Sequence, residues 1–366
     1  MGAKRFDFDD KMIRRLLPNV LLTAAATVVS ILILEGAVRI LMPEWRNFSS
    51  ARFLTSVEVP GYGITSIGTP GFDGWFSQNN GDFSTRIRIN AFGLRNDEPV
   101  AAADGRIWVL GDSFSFGWGV AREESYTQVL ADQLGFPTYN VATPGSSVCG
   151  WQALYARMPK GIRPAAVVVG LTIENRVALL DCAATAMAPQ PEESTVLSLL
   201  AVKAFLTRHA ALYNVVSVSL KRIEIINTIL VRVGLIEDPS RIILHGHDPA
   251  KADAMIAATA IEIDRLRTLV PKGIPFVVVL FPARFELRDQ SGYFRYLRLG
   301  ITEALAWRRI STLDLFSAIQ GAGLEATHFS HDGHWNARGH RIAGEAIARW
   351  FSINAADLSP AHSIKN

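Results

Sequence analysis

The sequence predicts an α/β protein, a three-layer α/β/α sandwich with a parallel sheet, preceded by one N-terminal transmembrane helix. Two observations predict the sandwich. The predicted strands are apolar throughout, and helices separate them along the chain, as in parallel sheets that are covered on both faces. A third observation, an uncharged apolar run close to the N-terminus, predicts the membrane helix.

Composition excludes several classes of protein. The chain has 366 residues, of which 49% are hydrophobic and 19% charged, so it is not a disordered chain. Its 28 glycines and 17 prolines follow no period, which excludes collagen and solenoids. The net charge is +3, and much of it lies in the first fifteen residues. The remainder is nearly neutral and indicates no nucleic-acid partner.

The membrane anchor is predicted over residues 16–42. Leu16–Leu34 has no charged residue, and at about 1.5 Å per residue such a helix reaches roughly across a hydrocarbon core of about 30 Å. A cleaved signal peptide is the alternative, but this run is long and lacks a clean cleavage site. Five basic residues precede it: Lys4, Arg5, Lys11, Arg14 and Arg15. We therefore expect residues 1–15 in the cytoplasm and the chain beyond residue 43 outside.

The rest of the chain divides into a short lead-in and one domain. Residues 43–105 are rich in Gly, Pro, Ser and aromatic residues and predict a stalk and an extension of the main sheet, with an edge hairpin or strand at Thr85–Ile89. From residue 106 to 354 strands and helices alternate. The predicted strands are Arg106–Leu110, Thr138–Val141, Ala165–Leu171, Pro275–Phe281 and Ile310–Leu313. The predicted helices are Ser125–Leu134, Trp151–Met158, Lys251–Val270, Gly292–Trp307 and Asn336–Phe351.

The alternation stops between about residues 180 and 249. Val196–Leu220 and Ile223–Val233 are apolar helical stretches that charged residues interrupt, which argues against a second membrane crossing. We expect a helical insertion here, near the membrane surface. Residues 355–366 are predicted to be a C-terminal tail.

A candidate nucleophile follows the first strand of this domain. Residues 111–117 read GDSFSFG, where Arg106–Leu110 ends and a helix should begin. A serine in such a turn, at the carboxyl edge of a parallel sheet, exposes its hydroxyl, so Ser113 is a candidate nucleophile. One alternative is that Asp112 or Ser113 only caps the helix. The other is a phosphate-binding loop, whose glycine patterns are missing from the sequence.

A serine nucleophile needs a base, and the base needs an acid that orients it. Residues 330–336 read SHDGHWN, directly before the last predicted helix. Asp332 and His334 are two residues apart, a spacing that points both side chains the same way in an extended segment. We expect His334 to accept the proton of Ser113, and Asp332 to hold the imidazole and stabilise the imidazolium.

A metal site is the competing interpretation of this segment. Four histidines lie near Asp332: His328, His331, His334 and His340. The spacing of three between the first three would suit zinc on a helix, but Gly333 argues against a helix here. Histidines that lie in the loop incidentally are the remaining alternative. We expect no metal and no other cofactor.

Acyl transfer also needs donors for the developing oxyanion. Two loops after predicted strands offer them: the backbone N–H of Gly145 in the segment NVATPG, and the side-chain amide of Asn175 in TIEN. Taken alone, a glycine after a proline is usually a turn, and an asparagine at a strand end is usually a cap. Four candidate sites, each at the predicted carboxyl end of a strand, are a stronger indication together.

From about Ile107 to Ala348 these sites, in this order, resemble the SGNH or GDSL-type hydrolases. The resemblance implies a flavodoxin-like α/β/α fold with Ser113 as nucleophile and Asp332 and His334 completing the triad. It also implies an oxyanion hole made of the N–H groups of Ser113 and Gly145 and the amide of Asn175.

The sequence departs from the family pattern in two places. The block that carries Asn175 usually reads G-x-N-D, but Arg176 stands where the acid is expected. The usual D-x-x-H is here D-x-H, followed by Trp335 and Asn336. This D-x-H-W-N motif is similar to that of the periplasmic alginate O-acetylation proteins. The resemblance therefore implies an acyl-serine intermediate and leaves both hydrolysis and transfer as its second step.

The resemblance implies a membrane-anchored, extracytoplasmic serine esterase that acts on O-acyl, chiefly O-acetyl, esters of carbohydrate. The alternative on the same triad is an O-acetyltransferase that modifies a cell-surface polysaccharide, with a membrane partner that supplies the acyl group. A hypothesis of another class is a non-catalytic glycan-binding or assembly protein. The complete set of triad and oxyanion residues argues against it.

The two cysteines, Cys149 and Cys182, belong to no zinc pattern. Each follows one of the two predicted oxyanion loops. If both loops line one site, the pair lies close enough for a disulfide, which an oxidising compartment favours. Two separate buried thiols are the alternative.

Overall fold

The computed structural model describes residues 10–78, 81–187, 202, 205–219, 229, 232, 249–289 and 291–355. The strands are β1 (Leu54–Val59), β2 (Gly63–Gly68), β3 (Asp73–Ser77), β4 (Ser84–Arg88), β5 (Ile107–Gly111), β6 (Thr138–Asn140), β7 (Ala166–Thr172), β8 (Phe276–Phe281) and β9 (Ser311–Asp314). The first helices are α1 (Asp10–Leu41), α2 (Ser113–Phe116), α3 (Tyr126–Leu134), α4 (Val148–Arg157), α5 (Ile173–Arg176), α6 (Cys182–Met187) and α7 (Ala211–Ser219). The later helices are α8 (Pro249–Leu269), α9 (Arg284–Asp289), α10 (Gly292–Trp307), α11 (Phe316–Ala322), α12 (Leu324–Thr327) and α13 (Ala337–Asn354).

Five parallel strands form the main sheet, in the order β6-β5-β7-β8-β9. Strands β7 and β8 are buried along their whole length, as their unbroken runs of apolar residues predict. Trp108 and Leu110 of β5 point into a core with α4, α8 and α10, whereas Ile107 and Val109 point into a core with α3, α11 and α13. Both faces of the sheet are therefore covered, and the predicted three-layer sandwich is confirmed.

Strand β5 lies between β6 and β7. The chain passes from β5 to β6 on one side and then to β7 on the other, so the strand order reverses beside β5. Open α/β sheets bind ligands at the carboxyl ends of the strands next to such a reversal. The segment that follows β5 is therefore where this topology favours a site.

The predicted extension of the main sheet is wrong. Residues 43–105 instead contain two separate antiparallel hairpins, β1-β2 and β3-β4, and neither pairs with the five-stranded sheet within the described part of the chain. Phe53, Phe76 and Ile87 of this region pack with Phe116 of α2 in an apolar cluster of their own. Burial of these aromatic residues draws the hairpins over the segment that follows β5, not onto a sheet edge.

Helix α1 contains Leu17–Leu41, 25 residues with a mean hydropathy of 2.2 and no buried side chains in its apolar window. Among the described residues it is the one helix long and apolar enough to cross a membrane. Residues 1–9 and most of the predicted helical insertion, including Ile223–Val233, lie outside the described residues. The described parts of the insertion include α6 and α7.

Candidate active site

The turn after β5 places Ser113 at the start of α2. Gly111 has φ +152°, and a Cβ built there would lie 2.0 Å from the Ser115 hydroxyl oxygen, so the turn requires glycine. Asp112 is the N-cap residue: its Oδ1 accepts the N–H of Phe114 at 3.1 Å. Of the two residues in the capping alternative, Asp112 caps the helix, and the Ser113 hydroxyl is directed elsewhere.

Ser113, His334 and Asp332 form one hydrogen-bonded line. His334 Nε2 lies 2.7 Å from Ser113 Oγ. On the other side of the ring, Nδ1 contacts Asp332 Oδ1, which also accepts the backbone N–H of His334 at 3.0 Å. The structure thus brings together the three residues of the predicted triad, in the order that a serine nucleophile, a base and an orienting acid require.

Asp332 is held as a carboxylate. Its burial acts to raise the pKa, but the hydrogen bond and charge of His334 outweigh this, and the pKa of Asp332 is lowered to about 2. A carboxylate in this position fixes the imidazole tautomer with Nδ1 protonated, which leaves Nε2 free to accept a proton from Ser113. The rings of Phe114 and Trp118 lie 5.0 and 5.4 Å from that of His334 and restrict its orientation.

The two predicted oxyanion residues lie on different loops near Ser113. Gly145 has φ +80° and belongs to a loop that is tied to the nucleophile turn, because Ser146 Oγ donates to the carbonyl oxygen of Gly111 at 3.0 Å. Asn175 belongs to α5 and lines a cleft of about 270 Å³ together with residues 331–334. The structure therefore places Asn175 beside the triad and the Gly145 loop beside the turn before Ser113.

Arg176, which replaces the acid of the family pattern, pairs with Asp112. Its Nε lies 2.8 Å from Asp112 Oδ2, and the two side chains are 17% and 1% exposed. Thr172 donates its hydroxyl to the same oxygen at 3.0 Å. Buried charge-assisted bonds of this kind fix geometry, so Arg176 and Thr172 tie α5, which carries Asn175, to the turn that carries Ser113.

Comparison with known proteins finds solved structures that resemble this chain at low sequence identity. No protein-family model and no curated protein matches the chain. The solved structures that it resembles include carbohydrate esterases and G-D-S-L lipolytic proteins. One is a carbohydrate esterase family 2 enzyme with a carbohydrate binding domain from Corynascus thermopiles (Myceliophthora fergusii), 14% identical over 68% of this chain and 66% of that chain, with a TM-score of 0.40. Another is a member of the lipolytic protein G-D-S-L family from Veillonella parvula, 13% identical over 68% of this chain and 98% of that one, with a TM-score of 0.38.

Two residues at the site have no signal in the sequence. Gln78, directly after β3, donates its side-chain amide to Asp332 Oδ2. Asp82, in the same hairpin, accepts the backbone N–H of His331 at 3.0 Å, and its Oδ1 lies 2.9 Å from His331 Nδ1. Both contacts join residues about 250 positions apart, so no local pattern could have indicated them.

Arg95 supports the nucleophile from below. It belongs to the segment before the G-D-S strand, and its guanidinium donates to the carbonyl oxygens of Phe116 at 3.1 Å and Val120 at 2.8 Å. Burial lowers the pKa of Arg95 to about 10, so the group stays charged at neutral pH. These bonds satisfy one backbone carbonyl at the end of the short helix α2 and one in the loop that follows it.

Trp335 and Asn336 of the D-x-H-W-N motif shape the loop that carries His334. Trp335 is fully buried against Phe114 and Phe281, with ring centroids 5.1 and 4.6 Å apart. Asn336 caps α13 and donates its amide to the carbonyl oxygen of His328 at 3.0 Å. The residues that follow His334 in the motif therefore have structural roles, Trp335 in the core and Asn336 as the cap of α13.

The four histidines of this region have separate surroundings. His334 contacts Ser113, His331 contacts Asp82, and His328 and His340 are buried. Burial lowers the pKa of His328 to about 4 and that of His340 to about 3. Within the described residues, no three His, Cys, Asp or Glu side chains are grouped so that they could hold a metal ion.

Cys149 and Cys182 form a disulfide, with their Cα atoms 5.0 Å apart. Cys149 lies in the first turn of α4, shortly after Gly145, and Cys182 begins α6, shortly after Asn175. The bridge thus joins the segments that follow the two predicted oxyanion loops.

Proposed function

We propose that the protein is a membrane-anchored, extracytoplasmic serine esterase of the SGNH type that acts on O-acyl, chiefly O-acetyl, esters of carbohydrate. The observation that carries the proposal is the line from Ser113 Oγ to His334 Nε2, at 2.7 Å, and on from Nδ1 to Asp332. A hydroxyl just beyond the carboxyl end of a parallel strand, hydrogen-bonded to a base that an acid orients, suits nucleophilic attack on an ester.

The geometry implies a double-displacement reaction. Ser113 Oγ attacks the ester carbonyl carbon as its proton passes to His334 Nε2, and Asp332 stabilises the imidazolium. The oxyanion faces the N–H groups of Ser113 and Gly145 and the amide of Asn175. The C–O bond to the alcohol then breaks, and His334 returns the proton to the leaving oxygen. Water, deprotonated by His334, attacks the acyl-Ser113 carbonyl carbon. The bond from that carbon to Oγ then breaks, His334 returns the proton to Oγ, and the acid leaves the free serine behind.

The cleft favours a short acyl group. Its volume of about 270 Å³ is at the small end of ligand sites, which typically begin near 300 Å³. Polar groups line it: Asn175, and Arg284 with its bidentate partner Glu174, whose carboxylate also accepts the backbone N–H of Arg284 at 2.9 Å. A long fatty-acyl chain would leave these charged groups without water, whereas an acetyl group would not.

The proposed location rests on three features. Helix α1 has an apolar stretch of 25 residues with no buried side chains. Basic residues come before it in the sequence, which favours a cytoplasmic N-terminus. The disulfide between Cys149 and Cys182 is typical of an oxidising compartment.

The test is to trap the intermediate. The full chain is purified in detergent, exposed briefly to an aryl acetate and digested, and the peptide that contains Ser113 is examined by mass spectrometry. We expect one acetyl group on Ser113, and none in a His334→Ala variant. Turnover without any adduct, unaffected by Ser113→Ala, would contradict the proposal.

The second acceptor is a separate question, because water and a sugar hydroxyl attack the same acyl-Ser113. Incubation with an acyl donor and a range of oligosaccharides, with acylated sugar counted against free acid, separates hydrolysis from transfer. The proposed esterase releases free acid at a rate that no acceptor changes. If acylated sugar forms in excess over free acid, the second step is transfer to a polysaccharide and not hydrolysis. The acyl-serine step would be unaffected by that result.

A further inference from the structure

The outer end of the apolar helix α1 is joined to α7 by hydrogen bonds. Glu35 of α1 accepts the backbone N–H of Ala211 at 2.9 Å and that of Leu212 at 2.8 Å. These are the first two residues of α7. The first N–H groups of a helix lack partners within the helix, and its positive end favours an anion, so the Glu35 carboxylate is a suitable cap for α7.

Arg39, one turn further along α1, strengthens this junction. Its Nε donates to Glu35 Oε1 at 2.7 Å, and its Nη2 donates to the carbonyl oxygen of His209 at 2.7 Å. Arg39 also lies over the ring of the buried Trp45, 5.4 Å from its centroid. The anchor is therefore held against the described part of the insertion at several points.

The junction lies inside the apolar stretch of α1. This stretch ends at Leu41, and Glu35 lies six residues earlier, or about 9 Å along the helix axis. Interfacial helices bury their apolar face about 5–10 Å into the boundary between headgroups and acyl chains. A helix that begins beside Glu35 starts at that depth.

The composition of α7 suits that position. Its sequence, ALYNVVSVS, contains no charged residue. Ala211 and Asn214 are buried, whereas Val216 is 41% exposed. Glu35 is an ionisable group within an apolar span, and such groups need partners; the N–H groups of α7 and the guanidinium of Arg39 supply them.

From this we infer that α7 lies in the outer leaflet interface of the bilayer, held there by Glu35, and that its partner is the phospholipid surface. The inference rests on the membrane anchor of the proposed function. Lipid is the occupant that continuity favours, because the side chains of α1 that flank the junction are themselves unburied and apolar. The anchor is then not a free tether, and the active site is held at a fixed height above the membrane.

Depth-dependent fluorescence quenching tests the inference. Both native cysteines are in the disulfide, so an introduced cysteine is the one free thiol. An environment-sensitive fluorophore is attached to Val216→Cys in α7, to Val28→Cys in the middle of the anchor, or to Trp307→Cys on α10, where the side chain is 81% exposed. Each full-length variant is reconstituted into phosphatidylcholine vesicles that carry a nitroxide either near the headgroup or deep in the acyl chain.

We expect the shallow nitroxide to quench the label at position 216 several-fold more than that at position 307, and the deep nitroxide to quench the label at position 28. Glu35→Ala should reduce quenching at position 216 and leave that at position 28 unchanged. The matched control is Glu58→Ala, an exposed glutamate of β1, which should change neither.

The outcomes separate the two proposals. If the label at position 28 is quenched and that at position 216 behaves like that at position 307, the anchor stands and the interfacial position of α7 is wrong. If position 28 is not quenched, the anchor of the proposed function fails and the inference fails with it. If quenching at position 216 survives Glu35→Ala, Glu35 is not what holds α7.

Discussion

The parallel sheet and the β3-β4 hairpin contribute to the site in different ways. The sheet carries the groups that would touch the substrate: Ser113 follows β5 and Asn175 follows β7. The hairpin carries Gln78 and Asp82, which contact the loop of the acid and the base. The proposed nucleophile and one proposed oxyanion donor thus follow strand ends of the sheet. The loop that carries Asp332 and His334 is contacted by a hairpin from residues 43–105, the region predicted to be a stalk.

The largest effect should come from the sheet. Ser113→Ala removes the nucleophile and should lower kcat for an aryl acetate by roughly 10⁴-fold or more, since the members of a triad act as a unit. His334→Ala should cost a similar factor. The thermal midpoint should hardly change, because within the described residues the side-chain hydrogen bond of Ser113 is the single one to the partly exposed His334.

A matched control is Ser56→Ala, an exposed serine of β1 in the hairpin region, which should leave both quantities unchanged. Near-normal turnover by Ser113→Ala would mean that Ser113 is not the nucleophile. The proposed difference between the sheet and the hairpin would then be wrong.

How much of this the sequence could predict differs between the two regions. Unbroken apolar runs such as Phe276–Phe281 identify buried parallel strands, and strand ends of a parallel sheet meet at one edge, so the neighbourhood of Ser113 and Asn175 was predictable. The place where the β3-β4 hairpin packs was not predictable, because alternation within a short strand such as Ser84–Arg88 indicates its two faces but not its neighbours. Gln78 lies beside Asp332 because Phe76 of the hairpin packs with Phe116 of α2, and these two residues are far apart in the sequence.

The second prediction concerns stability at low pH. His328 and His340 are buried with pKa values lowered to about 4 and about 3, from an ordinary value near 6.5. Between the ordinary pKa and the lowered pKa, the unfolded chain binds more protons than the folded one. The free energy of unfolding is therefore highest above about pH 6.5 and falls as the pH drops toward 4 for His328 and toward 3 for His340. We expect the free energy of unfolding to drop by a few kcal/mol over this range.

Urea denaturation at several pH values measures it. His340→Gln, in the helix α13 that covers the sheet, should flatten the pH dependence. A slope equal to that of the unaltered protein would mean that the buried histidines do not set the acid limit.

The third prediction concerns the bridge between the two predicted oxyanion loops. The disulfide closes a sequence separation of 33 residues, for which chain entropy predicts about 3.7 kcal/mol of stabilisation. The double variant Cys149→Ala with Cys182→Ala should lower the urea midpoint accordingly and lower kcat more than it raises KM, because the loops that carry Gly145 and Asn175 lose a constraint. An unchanged midpoint would indicate that packing alone holds these loops.

The fourth prediction isolates the hairpin's contact with the acid. Gln78→Leu removes the amide that Asp332 Oδ2 accepts, and a hydrogen bond to a charged group contributes about 1.5–3 kcal/mol. We expect kcat to fall about tenfold to a hundredfold with little change in KM. Gln78→Glu should be at least as harmful, because it adds a like charge beside the carboxylate.

The matched control is another glutamine that donates its side-chain amide to an aspartate, but at a position away from the site. Gln128 donates to Asp132 at 2.8 Å on the exposed side of α3, so Gln128→Leu should leave kcat unchanged. If Gln78→Leu does the same, the Gln78 amide has no part in holding the acid.

The smallest effect should come from Asp82, which touches the acid loop one residue before Asp332. Asp82 accepts the backbone N–H of His331 at 3.0 Å and contacts its Nδ1 at 2.9 Å. Asp82→Asn keeps an acceptor oxygen but removes the charge, and because the His331 side chain is 64% exposed, solvent screens the pair to about 1 kcal/mol or less. The loss in kcat should therefore be at most about fivefold. The comparison is with Asp73→Asn, which breaks the exposed pair with Arg86 at the far end of the same hairpin. A clear difference between the two variants would place the hairpin's influence at the acid loop, whereas identical kinetics would restrict it to Gln78, since the hairpin would then hold the acid by that one amide.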